Sequence, residues 1–233
     1  MRMAIARLRT LLTRRRLLVP VSRLAWRYYD ERDDWHSVEA PVPEEFYGSG
    51  CPGDFESFLD GTLETAFSTP EVLSQWLAAC TYVRDPDLFH RPDFWQHPRT
   101  FEQLRRGDCE DHALFAWRVL RSLGYTAEFV VGFDRPDDGE VGRHAWVLFS
   151  VEGRRLLFES VCKDAAAAIR PLQEVKASYV PHASVDGELR RRLYGGFVRW
   201  YMDSDLRMKA KKARLTPGPM HTRSHTRLWR KEA

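Results

Sequence analysis

The alternation of apolar and polar positions divides the chain into helical and extended segments. Val72, Leu73, Trp76, Leu77 and Cys80 recur at the spacing of one helix face, and Thr69-Pro70 supplies a capping hydroxyl followed by the residue best suited to a first turn. That pattern predicts a helix over 70–83. A second stripe, Ala113, Ala116, Trp117, Leu120 and Leu123, starts just after Asp108-Cys109 and stops at Gly124. Asp108 is its expected cap, with Asp111 adding negative charge to the same end. Thr100 followed by Gln103 is a weaker capping pattern for a short helix.

Beyond Gly124 the period shortens to two. Thr126–Phe133, His144–Val151 and Arg154–Ser160 read as strands, the last two joined at Glu152-Gly153 and the first two by a polar loop from Asp134 to Gly142. Residues 37–56, with Pro41, Pro43, Gly48, Gly50, Pro52 and Gly53, read as irregular. Leu8, Leu11, Leu12, Leu17 and Leu18 could line a helix face until Pro20 stops it. Residues 185–212 read as mainly helical, interrupted at Gly195-Gly196, and a polar tail follows from about Pro217.

Composition excludes a wholly disordered chain, because 43% of the 233 residues are hydrophobic and 12% aromatic. No run approaches the ~18 apolar residues of a membrane span, and Arg14, Arg15 and Arg16 interrupt the apolar pieces near the N-terminus. Without a signal peptide, the expected location is cytoplasmic. The four cysteines, Cys51, Cys80, Cys109 and Cys162, form no CxxC pair and are expected to be reduced thiols. The net charge of +3 hides a split: residues 1–29 hold eight Arg and no acid, and 206–233 hold nine Lys/Arg against one acid. The middle keeps 19 basic and 32 acidic residues, so an acidic body lies between two basic arms. Such arms suit nucleic acid, an acidic surface or the protein's own body.

The candidate chemistry centres on Cys109. A thiolate, not a thiol, is the nucleophile, and a helix N-terminus or a neighbouring imidazolium favours the thiolate. The hairpin supplies the imidazole. A two-residue loop at Glu152-Gly153 pairs Val151 with Arg154, and strict alternation then puts His144 and Glu159 on one side of the sheet, one pleat apart. A carboxylate so placed can orient the imidazole, with Asp164 as a substitute. Asp108, Glu110 and Asp111 work against the thiolate, unless they point away as caps or a cation sits among them. His221 and His225 stand at helical spacing in the polar tail without partner ligands, which is a poor zinc site.

Three segments together, Asp93-Phe94-Trp95-Gln96-His97-Pro98, Gly107-Asp108-Cys109-Glu110-Asp111-His112-Ala113 and Arg143-His144-Ala145-Trp146-Val147, resemble the transglutaminase-like superfamily. The similarity is greatest to its bacterial cysteine proteinases and covers roughly residues 70–161. The resemblance implies a papain-like α+β fold with the nucleophile's helix packed on an antiparallel sheet. It also implies a catalytic triad of Cys109, His144 and an acid, here Glu159 where Asp is usual, forming an acyl-enzyme. Acids flanking the cysteine are associated with calcium in that branch, which makes Asp108 and Glu110 candidate ligands. Trp95 matches a tryptophan near the site, as an oxyanion donor or a pocket aromatic. The organisation expected is a basic extension over 1–36, a catalytic domain over 37–182, a helical segment over 183–212 and a basic tail over 213–233. A thiol hydrolase acting on peptide or isopeptide bonds of a protein is the leading expectation. Transamidation on the same residues is one alternative. A non-catalytic module binding nucleic acid or an acidic partner through its arms is the other.

Overall fold

A computed structural model of the chain describes residues 35–42, 44–134 and 142–195. Its elements begin with strand β1 (Ser37–Glu39), helix α1 (Pro70–Ala78), β2 (Thr81–Tyr82), α2 (Asp85–Leu88), α3 (Pro98–Leu104) and β3 (Arg106–Gly107). Helix α4 (Cys109–Ser122), β4 (Thr126–Asp134), β5 (Gly142–Val151) and β6 (Arg154–Phe158) follow. Last come β7 (Ile169–Pro171), α5 (Leu172–Val175), β8 (Tyr179–Val185) and β9 (Arg191–Tyr194). Seven strands form one antiparallel sheet in the order β1-β9-β8-β4-β5-β6-β7, while β2 and β3 make a small parallel pair. This is the α+β arrangement expected, with a helix against an antiparallel sheet.

Alternation along the strands feeds two cores. Phe129, Val131, Ala145, Val147, Phe149 and Phe158 share one cluster with the apolar residues of α4. Val130, Trp146, Leu148 and Leu157 belong to a second, completed by Trp35, Leu172, Val175, Tyr179 and Tyr194. Helix α4 is buried on all sides from Cys109 to Leu120. Trp117 faces the sheet: its indole N–H donates to Ala127 O at 3.3 Å and its ring lies 6.4 Å from Phe129. Phe115 stacks on Trp76 of α1 at 4.7 Å and meets Phe101 of α3 at 5.5 Å. The stripe read from the sequence is therefore only part of the helix's buried surface.

Local capping follows the chemistry in one case and departs from it in others. Thr69 accepts the N–H of Val72 at 3.3 Å, as its position predicts. The helix ends at Ala78 rather than 83, because Thr81 and Val83 donate their N–H groups to Arg105 O and Gly107 O in the β2–β3 pair. His97, not Thr100, caps α3, with its Nδ1 accepting the N–H of Arg99 at 3.1 Å.

The C-terminal expectations need the larger correction. Residues 185–194 are not helical, and the proposed boundary between 182 and 183 falls inside β8. β9 pairs with both β8 and β1, so tertiary hydrogen bonds override the local helical pattern. At the other end, Trp35 is buried between Trp146 and Tyr194, so the body includes residues assigned to the N-terminal extension. The expected helix in 1–29, residues 196–212, His221, His225 and the basic arms lie outside the described residues. No helix among the described residues is long and apolar enough to cross a membrane.

Leu120 is fully buried at the centre of this packing. Leu120→Ala should lower the unfolding free energy by about 2–5 kcal/mol, read from urea melts. A loss well below that range would contradict a tightly packed α4.

Candidate active site

The start of α4 is locked from below. Asp111 accepts the backbone N–H of Gln96 at 2.7 Å and also the Gln96 side-chain amide. Gly107 lies so close to this pair that a Cβ would collide with Asp111 Oδ2 and Gln96 Nε2, which is the reason for glycine there. The lock sets the position of Cys109, the first residue of the helix. Asp108 occupies the cap position, and its backbone carbonyl accepts the N–H of His112 at 3.2 Å. Its carboxylate, however, makes no capping hydrogen bond. The expected cap therefore holds for the backbone only, and the side chain is used elsewhere.

The β5–β6 hairpin has the two-residue turn and the register that the sequence predicts, with Val151 opposite Arg154 and Val147 opposite Phe158. Glu152 and Gly153 both have positive φ, 49° and 78°, as such a turn requires. His144 and Glu159 consequently meet: His144 Nε2 lies 2.9 and 2.8 Å from the two carboxylate oxygens. Cys109 lines the same cleft as His144, near enough for the thiol to favour the imidazolium. The thiol also donates to Glu110 Oε2 at 3.3 Å.

The electrostatics of the pair are decided by proximity. Burial alone would disfavour the imidazolium, but the charge of Glu159 and the hydrogen bonds to Cys109 and Glu159 raise the His144 pKa well above its usual value. Burial likewise pushes the Glu159 carboxyl up, yet His144 and the donor groups around it win and hold it below its usual range. Both shifts favour the charged forms of the pair. Two further groups hold Glu159: the Tyr179 O–H donates to Oε2 at 2.8 Å and the Val161 N–H to Oε1 at 3.4 Å. Asp164, the substitute orienter, instead accepts the N–H of Ala166 in its own turn.

Cys109 and His144 line one small cleft, together with Tyr47, Asp93, Trp95 and Arg143. Trp95 is a wall of this cleft, and its indole N–H donates to Asp93 Oδ1 at 3.0 Å. An oxyanion role for that N–H would require the bond to Asp93 to break. Arg143 donates to the carbonyls of Phe46 and Tyr47 at 3.2 and 3.1 Å, while Asp93 Oδ2 accepts Ser49 Oγ and Gly50 N–H at 2.9 and 2.7 Å. These contacts fasten the irregular segment 44–50 across the cleft. The Arg143 guanidinium also balances the acids near Cys109: burial lowers its pKa, and Asp93, Cys109 and Glu110 oppose that.

Beside the thiol lies a buried acidic cluster. Oxygens of Asp85, Asp93 and Glu110 lie within 4.8 Å of one another, as do those of Asp85, Asp108 and Asp111, and Asp108, Cys109 and Glu110 form a third such group. Burial raises the Asp85 carboxyl to about 7, with the charge of Asp108 adding to it. Burial first, then neighbouring acids, raises Glu110 and Asp111 well above the usual carboxylate range. Asp85 Oδ1 and Asp108 Oδ1 are buried and receive no hydrogen bond among the described residues. Oxygen donors in that condition fit a hard cation such as calcium.

The other thiols have no such setting. All four cysteines are free, and burial pushes Cys51 up to about 12 and Cys80 up to about 11. Asp85 and Tyr179 were not legible as site residues, because neither stands in a patterned segment and each reaches the site only through tertiary packing. Arg143 and Asp93 were visible inside the recognised segments, but their contacts with 44–50 were not.

A thiol at a helix start and an imidazole and a carboxylate from an antiparallel sheet meet in an α+β domain. Residues 59–157 match the model of the transglutaminase-like superfamily, so this stretch of the chain is similar to a transglutaminase-like domain. No curated protein matches it by sequence. Among solved structures, calcium-bound LapG of Legionella pneumophila is 18% identical, with a TM-score of 0.41 over 57% of this chain and 73% of its own. A further structure of LapG from Legionella pneumophila is 16% identical, with a TM-score of 0.42 over 83% of this chain and 93% of its own.

The ion pair makes a signed prediction about stability. Raised in the fold, His144 contributes fully below its unfolded value of 6.5 and stops contributing as pH climbs through its higher folded value. Lowered in the fold, Glu159 contributes above its unfolded value of 4.5 and ceases to as pH falls through its lower folded value. The pair is therefore worth most between about pH 4.5 and 6.5, and its worth declines as pH rises from there through the folded value of His144. In urea melts, Glu159→Gln should be less stable than wild type at about pH 6, with the gap closing as pH falls through the lowered folded value of Glu159. A gap independent of pH would rule out the ion pair.

Proposed function

We propose that the chain is a thiol hydrolase cleaving peptide or isopeptide bonds of a protein substrate through Cys109, His144 and Glu159. The observation that carries this reading is the Glu159 carboxylate on Nε2 of a His144 that shares one cleft with the Cys109 thiol. The match of residues 59–157 to the transglutaminase-like superfamily model supports it.

The steps follow from these contacts. With the thiol proton carried by His144 as the imidazolium, the Cys109 sulfur attacks the substrate carbonyl, forming a C–S bond while the carbonyl electrons move to oxygen. N–H groups in the first turn of α4 have no intrahelical acceptor and are candidate donors to that oxyanion. Collapse of the adduct breaks the C–N bond, and the imidazolium gives its proton to the leaving amine. Water, deprotonated by His144, then hydrolyses the thioester and frees Cys109. Throughout, Glu159 keeps Nε2 protonated and steadies the imidazolium. An amine replacing that water would give transamidation instead.

Asp108 and Glu110, with Asp85 and either Asp93 or Asp111, are the residues that would hold calcium. When bound, the ion supplies the positive charge that lets these buried carboxylates stay ionised. Glu110 would then be a ligand rather than the acceptor of the Cys109 thiol, which would leave the sulfur to His144.

Two measurements test the reading. Cys109 should be alkylated by iodoacetamide at pH 6, and His144→Ala should slow that reaction by about tenfold or more. Peptide libraries with and without a primary amine then distinguish hydrolysis from transfer. Equal alkylation rates in both proteins would end the proposal. Separately, millimolar calcium should raise the thermal midpoint of the wild type by several degrees, an effect that Glu110→Gln removes. A midpoint that calcium does not move would remove the metal from the scheme.

A further inference from the structure

Glu159 poses a mechanical problem. Its carboxylate has one more torsion than an aspartate, and it sits just beyond the end of β6, where the chain turns and Cys162 donates its N–H to Glu159 O at 3.2 Å. The backbone is anchored, since the Glu159 N–H donates to Ala168 O at 2.8 Å. That bond leaves the side chain free to swing. The side chain is nevertheless aligned so that both oxygens face one imidazole nitrogen.

We infer that Tyr179 is a positioning residue of this site, holding the Glu159 carboxylate against His144 through its phenolic O–H. The inference rests on the thiol-hydrolase reading above and goes further, because the family resemblance gives this position no role. Of the two groups restraining the carboxylate besides His144, the phenol at 2.8 Å is much the shorter contact, and the Val161 N–H at 3.4 Å is at the edge of hydrogen-bonding range.

The phenol arrives from β8, which is separated from β5 by β4. A glycine makes the crossing feasible. Gly132 of β4 pairs with His144 on one side and with Pro181 on the other, next to a register shift between Val131 and Gly132. A Cβ at Gly132 would collide with Val180 O and crowd the Trp146 ring. With that space clear, Trp146 lies over the glycine and the Tyr179 ring packs edge-on against Trp146 at 5.1 Å, 6.4 Å from His144. Tyr179 is 8% exposed, so its hydroxyl needs a buried partner, and Glu159 is that partner.

The phenol stays a donor. Burial first, then the charge of Glu159, pushes its pKa upward, against the opposing charge of Arg170 on β7. The groups facing His144 are thus Cys109 from α4, Glu159 beyond β6 and Tyr179 from β8, with Arg170 behind the phenol as the nearby cation.

The test compares wild type, Tyr179→Phe, Glu159→Gln and the double variant, with ¹⁵N-histidine labelling to follow His144 across pH. Phenylalanine keeps the ring and its packing, so equal thermal midpoints check the fold. Loss of the hydroxyl should lower the His144 midpoint by about one pH unit and cut kcat on a cleavable peptide about tenfold, with KM nearly unchanged. In the double variant, removing the hydroxyl should add nothing to Glu159→Gln, because Tyr179 acts only through the carboxylate. A raised wild-type midpoint that Tyr179→Phe leaves in place, or additive losses in the double variant, would overturn the inference alone. A wild-type imidazole titrating like free histidine would overturn the hydrolase reading together with it.

Discussion

A buried hydrogen bond between an imidazole and a carboxylate organises this molecule. His144 is only 7% exposed and Glu159 is nearly as enclosed, so neither charge is tolerable without the other. The surrounding packing exists at the strand positions that bring them together. The Glu152-Gly153 turn sets the hairpin register, the alternation of β5 and β6 turns both side chains to the same face, and Trp146 and Tyr179 cover the imidazole from the second core. Removing one partner would leave a buried charge uncompensated, which is why the pair constrains both stability and chemistry.

The thiol belongs to a different layer. Cys109 is delivered by α4, whose first turn is held by Asp111 on Gln96 and by the close approach at Gly107. The site is the seam where this helix start meets the end of the sheet. Nearly every polar group at that seam is used twice. Asp93 fastens Ser49 and Gly50, takes the Trp95 N–H and stands among the acids. Arg143 ties down Phe46 and Tyr47 while balancing negative charge near the sulfur.

The acidic cluster resolves a tension visible from the start. Three carboxylates beside a nucleophilic sulfur should oppose its ionisation, and capping would have been the simple outcome. Instead Asp108 leaves its cap unmade and turns inward with Asp85, which reaches the cluster from the short helix α2. Buried acids in this number stay ionised only with compensating positive charge. Arg143 supplies one such charge, and the unpartnered oxygens of Asp85 and Asp108 describe where a cation would supply more.

How much of this was legible depends on the range of the interaction. Helix starts, the hairpin turn and the shared face of His144 and Glu159 follow from short-range rules, because period, φ preference and turn length act within a few residues. The chain by itself therefore determined that a thiol begins a helix and that an imidazole and a carboxylate share one side of a hairpin. The partners that arrive from afar were decided by tertiary structure alone: Tyr179 across β4, Asp85 into the acidic cluster and the 44–50 segment over the cleft. β9 is the plainest case, since Arg191–Tyr194 carries a locally helical pattern and becomes a strand only because β8 and β1 offer it hydrogen bonds on both sides. Local rules say what a segment prefers, and only the packed chain says which distant group it will meet.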